Sequence, residues 1–302
     1  MSTGVRERVD LYDNYIIRNL YNGVRHLSSK KITLLPLLYL TLLIVLAVMG
    51  PYITPYSYDE TLYNDEGEVL RAESPSLSHP LGTTNTGQDV LSRVIYGVQP
   101  TVVTGLLGGA MIISIGLTMG VVSGYVGGLV DSVLMRITDI AYSVPLIPFA
   151  IVLLTLLGVG FYSSVVVIGL LLWRGNARVL RSQVLQIKQR PFVRAAKATG
   201  ASTPRIIVKH ILPNVASMAV LFFALGIGYS IIAQAGLAFI GASNPFVPSW
   251  GVMIRNAYQS GYMAEQLGWS LIPGLLISMT VLSAFLIGRG FEKDDKAFGE
   301  AG

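Results

Sequence analysis

Between Arg174 and Asn214 the chain carries nine bases (Arg174, Arg178, Arg181, Lys188, Arg190, Arg194, Lys197, Arg205, Lys209) and no acid. Cations gathered this way bind, steer and orient; they do not by themselves make a catalytic centre. The residues that would do covalent or metal chemistry do not occur in the patterns that chemistry needs. There are no cysteines, which excludes disulfides, thiol catalysis and cysteine-ligated metals. Three scattered histidines form no H-E-x-x-H or comparable ligand cluster, so no metal site is expected. No G-x-x-x-x-G-K-[ST] phosphate loop is present, and the glycine-rich stretches are apolar with no lysine at the required offset. The chain is therefore read as neither an enzyme nor the holder of a cofactor.

The basic stretch has its own helical punctuation from Gln189 to Asn214, QRPFVRAAKATGASTPRIIVKHILPN. Pro191 suits the first position of a helix, where its missing N–H is not needed. Ala195, Ala196 and Ala198 give that helix a small-residue face, and Gly200 stands where a helix stops in the left-handed conformation. Thr203 before Pro204 reads as the N-cap of a second helix. Ile206, Ile207, Ile211 and Leu212 give it an apolar face, and Pro213 is expected to end it. The spacing thus predicts a short helix, a glycine turn and a second short helix.

What holds this elbow is a membrane. The 302 residues are 52% hydrophobic and only 13% charged, against about 25% charged in soluble domains. The apolar residues fall into uncharged runs near the length that spans a bilayer, about 20 residues. Ile32 to Ile53 is the first and Val94 to Val130 the second. Ile140 to Trp173 has 34 uncharged residues, which read as one long span or two short ones turning at Gly158-Val159-Gly160. Val215 to Ile240 and Trp269 to Gly288 follow. The basic tail 1–31 and the basic elbow should share the cytoplasmic side, so an even number of crossings lies between them, and 140–173 supplies two. The resulting six-helix topology puts 19 Lys and Arg inside and 3 outside. Residues 1–31 place Val9, Tyr12, Ile16, Leu20, Val24 and Leu27 at helical spacing, which predicts an amphipathic surface helix. Residues 54–93 are predicted to be extracellular, 94–290 the core with the elbow at 189–214, and 291–302 a cytoplasmic tail.

Ala195-Ala196-x-x-x-Gly200 followed by Ile211-Leu212-Pro213-Asn214 resembles the coupling loop of ATP-binding-cassette (ABC) importer permeases, in the cluster for di- and oligopeptides and nickel complexes. The segments His79-Pro80-Leu81-Gly82-Thr83, Asp89-Val90-Leu91-Ser92-Arg93, Met135-Arg136-x-x-Asp139 and Pro248-Ser249-Trp250-Gly251 are similar to the same cluster. The family usually has Glu where this chain has Arg194, and Ile where it has His210. The resemblance implies an all-α, six-helix type I importer permease fold, and one half of a translocation pathway for peptides or, alternatively, oligosaccharides or nickel complexes. It implies as partners a second homologous permease, two ABC ATPases and an extracellular solute-binding protein. It assigns ATPase coupling to Arg194, Ala195, Ala196, Gly200, Ala201, Arg205, His210, Leu212, Pro213 and Asn214. An ATPase-independent secondary carrier, or a scaffold without transport, are the readings from other classes. Proton- and ion-coupled carriers use intramembrane acids and histidines that are nearly missing here. DNA recognition does not suit two short helices anchored by spans on both sides. Contact with anionic membrane lipid would account for the charge, but not for the alanine face or the glycine stop.

Several residues outside the elbow admit two readings. Gly116, Gly120, Gly124 and Gly128 recur every fourth residue, as tight helix packing or as a substrate path. Arg136 and Asp139 stand three apart and are expected to pair on one helix face. Tyr142, Gln234 and Trp250 are candidates to line or gate the path. His79 is expected to be a turn residue before proline, and Asn64-Asp65-Glu66-Gly67 a turn.

Overall fold

A computed structural model of the chain describes residues 31–292. The amphipathic helix expected in 1–31, save its last residue, and the tail beyond 292 lie outside the described residues. The apolar runs fold as helices because hydrocarbon offers no partner for an open backbone N–H or C=O. In chain order, α1 is Lys31–Ile53, α2 Val90–Tyr96, α3 Val98–Val126, α4 Gly128–Ser143 and α5 Leu146–Leu157. Then come α6 Phe161–Leu172, α7 Arg174–Lys188, α8 Pro191–Ala198 and α9 Thr203–Ile206. A π-turn over Ile207–Ile211 leads into α10, Leu212–Phe239, followed by α11 Trp250–Gln259 and α12 Leu267–Glu292.

Among the described residues, five helical runs are long and apolar enough to cross a membrane: 33–53, 90–126, 161–188, 203–239 and 267–291. The pair α4 and α5, which meet at 95°, passes the same test only when taken together, as a broken span or a re-entrant loop. The expected turn within 140–173 is present, with Gly158 at φ +87° between α5 and α6. The twelve residues of α5 reach only about 18 Å at 1.5 Å per residue, short of a hydrocarbon core of about 30 Å.

The centre of the fold is α3, which packs on α7 along one side and α10 along another; α10 packs on α12, and α12 on α1. Two sets of glycines make these approaches possible. A Cβ at Gly116, Gly120 or Gly124 would lie 2.7–2.9 Å from the nearest α7 atom. Gly109 of α3 and Gly226 of α10 meet backbone to backbone, a Cβ on Gly226 falling 3.1 Å from the Gly109 Cα. The glycine stripe is thus a packing surface, with one correction: Gly128 does not belong to it. It lies beyond the end of α3 at φ +58° with nothing within 4 Å of its Cβ position, because the helix stops at Val126.

The segment 54–89 is a polar cap tied to the start of α2. Its predicted turn forms, with Asn64 Oδ1 accepting from the N–H groups of Glu66 and Glu68 at 3.0 and 2.8 Å. His79 is more than a turn residue: it is buried, and its Nδ1 lies 3.2 Å from Asp89 Oδ1. Asp89 Oδ2 in turn accepts from the Ser92 N–H at 2.7 Å, which caps α2.

Candidate functional site

The elbow begins where α7 ends. Arg190 is extended, at φ −67° and ψ 147°, and Pro191 opens α8. Val193 is the buried anchor of α8, in a cluster with Tyr125, Leu180, Val184, Ile187, Ile206, Ile211 and Val215. Arg194, Ala195, Lys197, Ala198 and Gly200 are left exposed. Gly200 closes α8 at φ +81°, its N–H bonding to the Lys197 carbonyl and the Ala201 N–H to the Ala196 carbonyl, both at 3.1 Å. This double bond pattern is the Schellman motif, and it requires the left-handed residue that glycine supplies at no steric cost.

The second half departs from the sequence expectation in two ways. Ser202, not Thr203, takes the N-cap position, at φ −67° and ψ 152°, with Thr203 as the first helical residue. Pro213 does not end the helix. Residues 203–239 form one continuous helical run. The π-turn lets the Leu212 N–H reach the Ile207 carbonyl, so the ladder is already shifted when Pro213 arrives without a donor. Asn214 Nδ2 then donates to the His210 carbonyl at 2.7 Å. His210 also faces Phe192 of α8, ring centroids 6.1 Å apart. Ala196, Ala201 and Leu212 pack against the Val193 cluster. Arg194 and Arg205 make no ion pair among the described residues. The elbow is therefore an exposed, cationic, small-residue knuckle whose second limb runs without a break into a 37-residue apolar helical run.

Behind the knuckle, α7 is tied to α4 by three arginines on one face. Arg181 grips Asp131 through two bonds of 2.6 Å. Arg178 Nη2 donates to Asp139 Oδ1 at 2.5 Å and its guanidinium lies 4.2 Å from the Tyr142 ring centroid. Arg174 Nη1 donates to the carbonyls of Ala141 and Val144. The expected Arg136–Asp139 pair is thereby corrected: Asp139 reaches across to α7, and Arg136 makes no ion pair among the described residues. The 174/178/181 spacing, four then three, was the signal available for this face.

Two of the three candidate gate residues are interior struts. Gln234 is buried, its Nε2 within 3.5 Å of Ser243 Oγ and 3.4 Å of Ser249 Oγ. Trp250 is 1% exposed and donates from Nε1 to the Val94 carbonyl at 3.0 Å. Both are held inside the subunit, where the chain after α10 folds back to satisfy Gln234 and to seat the indole against α2. Tyr142 remains exposed.

Helices long and apolar enough to cross a membrane, carrying such a knuckle, are the arrangement expected of a transport permease subunit. The family of "binding-protein-dependent transport system inner membrane component" matches residues 116–294, and the chain belongs to that family. The glutathione transport system permease protein GsiD of Pectobacterium atrosepticum is 34% identical over 254 residues, 84% of this chain and 82% of its own length. The dipeptide transport system permease protein DppC of Bacillus subtilis is 34% identical over 271 residues, covering 89% and 82%. A chain of the inward-facing MetNI methionine ABC transporter shares the fold, with TM-score 0.52, 20% identity, and 68% of this chain against 95% of that one. This chain is a multi-pass inner-membrane subunit of an ABC importer.

Proposed function

We propose that this permease forms half of a pathway for di- or oligopeptide-like solutes, and that residues 189–214 dock its ATPase partner. The two permease relatives, named for glutathione and dipeptide transport, support the substrate class. The docking reading rests on one observation: the knuckle is exposed at its tip around Gly200, and its second limb, from Thr203, is helically continuous with the span 203–239. A small-residue surface suits insertion into a groove on a partner. Movement of that groove on ATP binding would carry α10 with it as a rigid lever, one of the standard ways domain closure reaches a membrane.

In this reading a second permease completes the pathway and two ATPases bind the knuckles. ATP hydrolysis belongs to those partners, since this chain lacks a phosphate-loop sequence. The 54–93 cap faces an extracellular solute-binding protein, both termini are cytoplasmic, and membrane lipid surrounds the exposed apolar faces. Exposed Tyr142 stays a candidate pathway residue. Affinity purification of the tagged chain tests the scheme. It should bring down two ATPases and a homologous permease, and the reconstituted complex with its binding protein should import a labelled dipeptide only with ATP. Import by the chain alone, driven by an ion gradient, would overturn it.

A further inference from the structure

Where the ends of α3 and α7 meet the elbow, the surface is hollowed into a cavity of 280 Å³. Its walls include Tyr125, Lys188, Val193, Arg194, Lys197 and Thr203. Three cations converge there from α7 and α8, and none is ion-paired among the described residues. The neighbouring carboxylate, Asp131, is held by both nitrogens of its Arg181 fork. Lys188 Nζ lies 5.5 Å from the centroid of the Tyr125 ring. Tyr125 itself is only 8% exposed, and its hydroxyl makes no hydrogen bond among the described residues.

Like charges in a concave site repel one another and focus a positive potential, which an anion relieves. The donors are one guanidinium fork, two ammonium groups and two hydroxyls. A phosphate ester, with several acceptor oxygens spread around one centre, can use such a set from several sides; a carboxylate offers only two oxygens in one plane. The floor of Val193 and the Tyr125 ring is apolar and suits the carbon skeleton carrying the phosphate. The cavity also opens where an apolar span gives way to a basic segment, the depth at which lipid phosphates lie.

We propose that this cavity binds the phosphate ester of an anionic ligand, and that occupancy pins the elbow to α3 and α7. The ligand would touch α3, α7, α8 and α9 at once, so it sets how freely the knuckle moves. Two sources share this chemistry, an anionic phospholipid headgroup and a free phosphate.

Native mass spectrometry of the purified full chain in detergent, titrated with phosphatidylglycerol or phosphatidylcholine, tests the proposal. The expected result is retention of phosphatidylglycerol over phosphatidylcholine. A surface cation near an anionic headgroup is worth about fivefold in affinity, so Lys188→Gln with Lys197→Gln should weaken retention about 30-fold. Lys188→Arg should keep it, and Arg205→Gln with Lys209→Gln, outside the cavity, should leave it unchanged. Displacement of the lipid by excess inorganic phosphate identifies a free phosphate as a sufficient ligand; resistance to displacement identifies the headgroup. Equal loss in the two double variants, or equal retention of both lipids, overturns the proposal. If the cavity variant does not fold, the unaltered chain still decides: phosphatidylglycerol should raise its unfolding temperature more than phosphatidylcholine, and equal shifts overturn the proposal. The assay reads the permease alone, so its outcome is independent of ATPase docking.

Discussion

Replacing Gly200 with valine isolates the elbow's geometry from everything else. The glycine sits at φ +81°, and nothing lies within 4 Å of the position a Cβ would take. The Cβ itself meets no neighbour, so the main cost is the left-handed backbone, about 1–2 kcal/mol for a side chain with a Cβ. That strain falls on two hydrogen bonds, Gly200 to Lys197 and Ala201 to Ala196, which close an eight-residue helix too short to be stable by itself. The core is untouched, so the unfolding temperature of the permease should hardly move. The fraction of elbows in the docking geometry should fall by about 5- to 30-fold, at tenfold per 1.4 kcal/mol. ATP-dependent uptake by proteoliposomes holding the whole importer is the assay, at matched protein content. Valine should reduce uptake and uncouple it from hydrolysis, while Gly200→Asn, which tolerates the left-handed region, should retain most of it. Full uptake by the valine variant would refute the claim that this turn positions a working contact.

Other consequences follow from the packing. Gly120→Val would drive a Cβ to 2.7 Å from the Ala177 carbonyl oxygen and 2.8 Å from Leu180 Cβ; overpacking of this kind costs about 1–3 kcal/mol and should lower the unfolding temperature, whereas Gly128→Val should leave the α3–α7 contact intact. Trp250→Phe keeps an aromatic side chain but removes the indole N–H and strands the buried Val94 carbonyl, a loss of at least about 1–3 kcal/mol visible in thermal unfolding, with the solute preference of transport unchanged. A double-mutant cycle between Asp139 and Arg178, both about half exposed, should give a coupling of about 0.2–1 kcal/mol, and the cycle between Asp139 and Arg136 should give none.

Local punctuation was legible where backbone rules act alone. Gly200 and Gly158 were readable as turns because only a residue without a Cβ takes φ near +80° cheaply, and the structure has φ +81° and +87° there. The buried Ile206 and Ile211 followed from helical spacing, whereas the expected alanine face splits, Ala195 and Ala198 staying exposed and Ala196 packing inward. Pro213 shows where such a rule meets a competitor. Proline ends a helix that expects its N–H, yet proline also suits a first turn, and a π-turn just upstream converts one situation into the other. Nothing local announces that shift. Asp139 failed for a different reason: an i, i+3 partner is visible in sequence, while Arg178 is brought near only by the packing of α4 on α7. Gln234 was attractive as a path residue because polar side chains inside spans are often functional, and Trp250 because it stands in the connection between the last two expected spans. Their partners, Ser243, Ser249 and the Val94 carbonyl, come from segments that fold back, and only the tertiary structure supplies them.

Because the chain has no cysteine, a single Ala198→Cys substitution places one unique thiol on the exposed tip of the knuckle. In the assembled importer, a short bifunctional thiol reagent should link that residue to an ATPase subunit, and a membrane-impermeant maleimide added outside intact cells should fail to label it. Labelling from outside, or an assembled complex in which the thiol stays free and never joins an ATPase, would contradict the account of how this permease receives its energy.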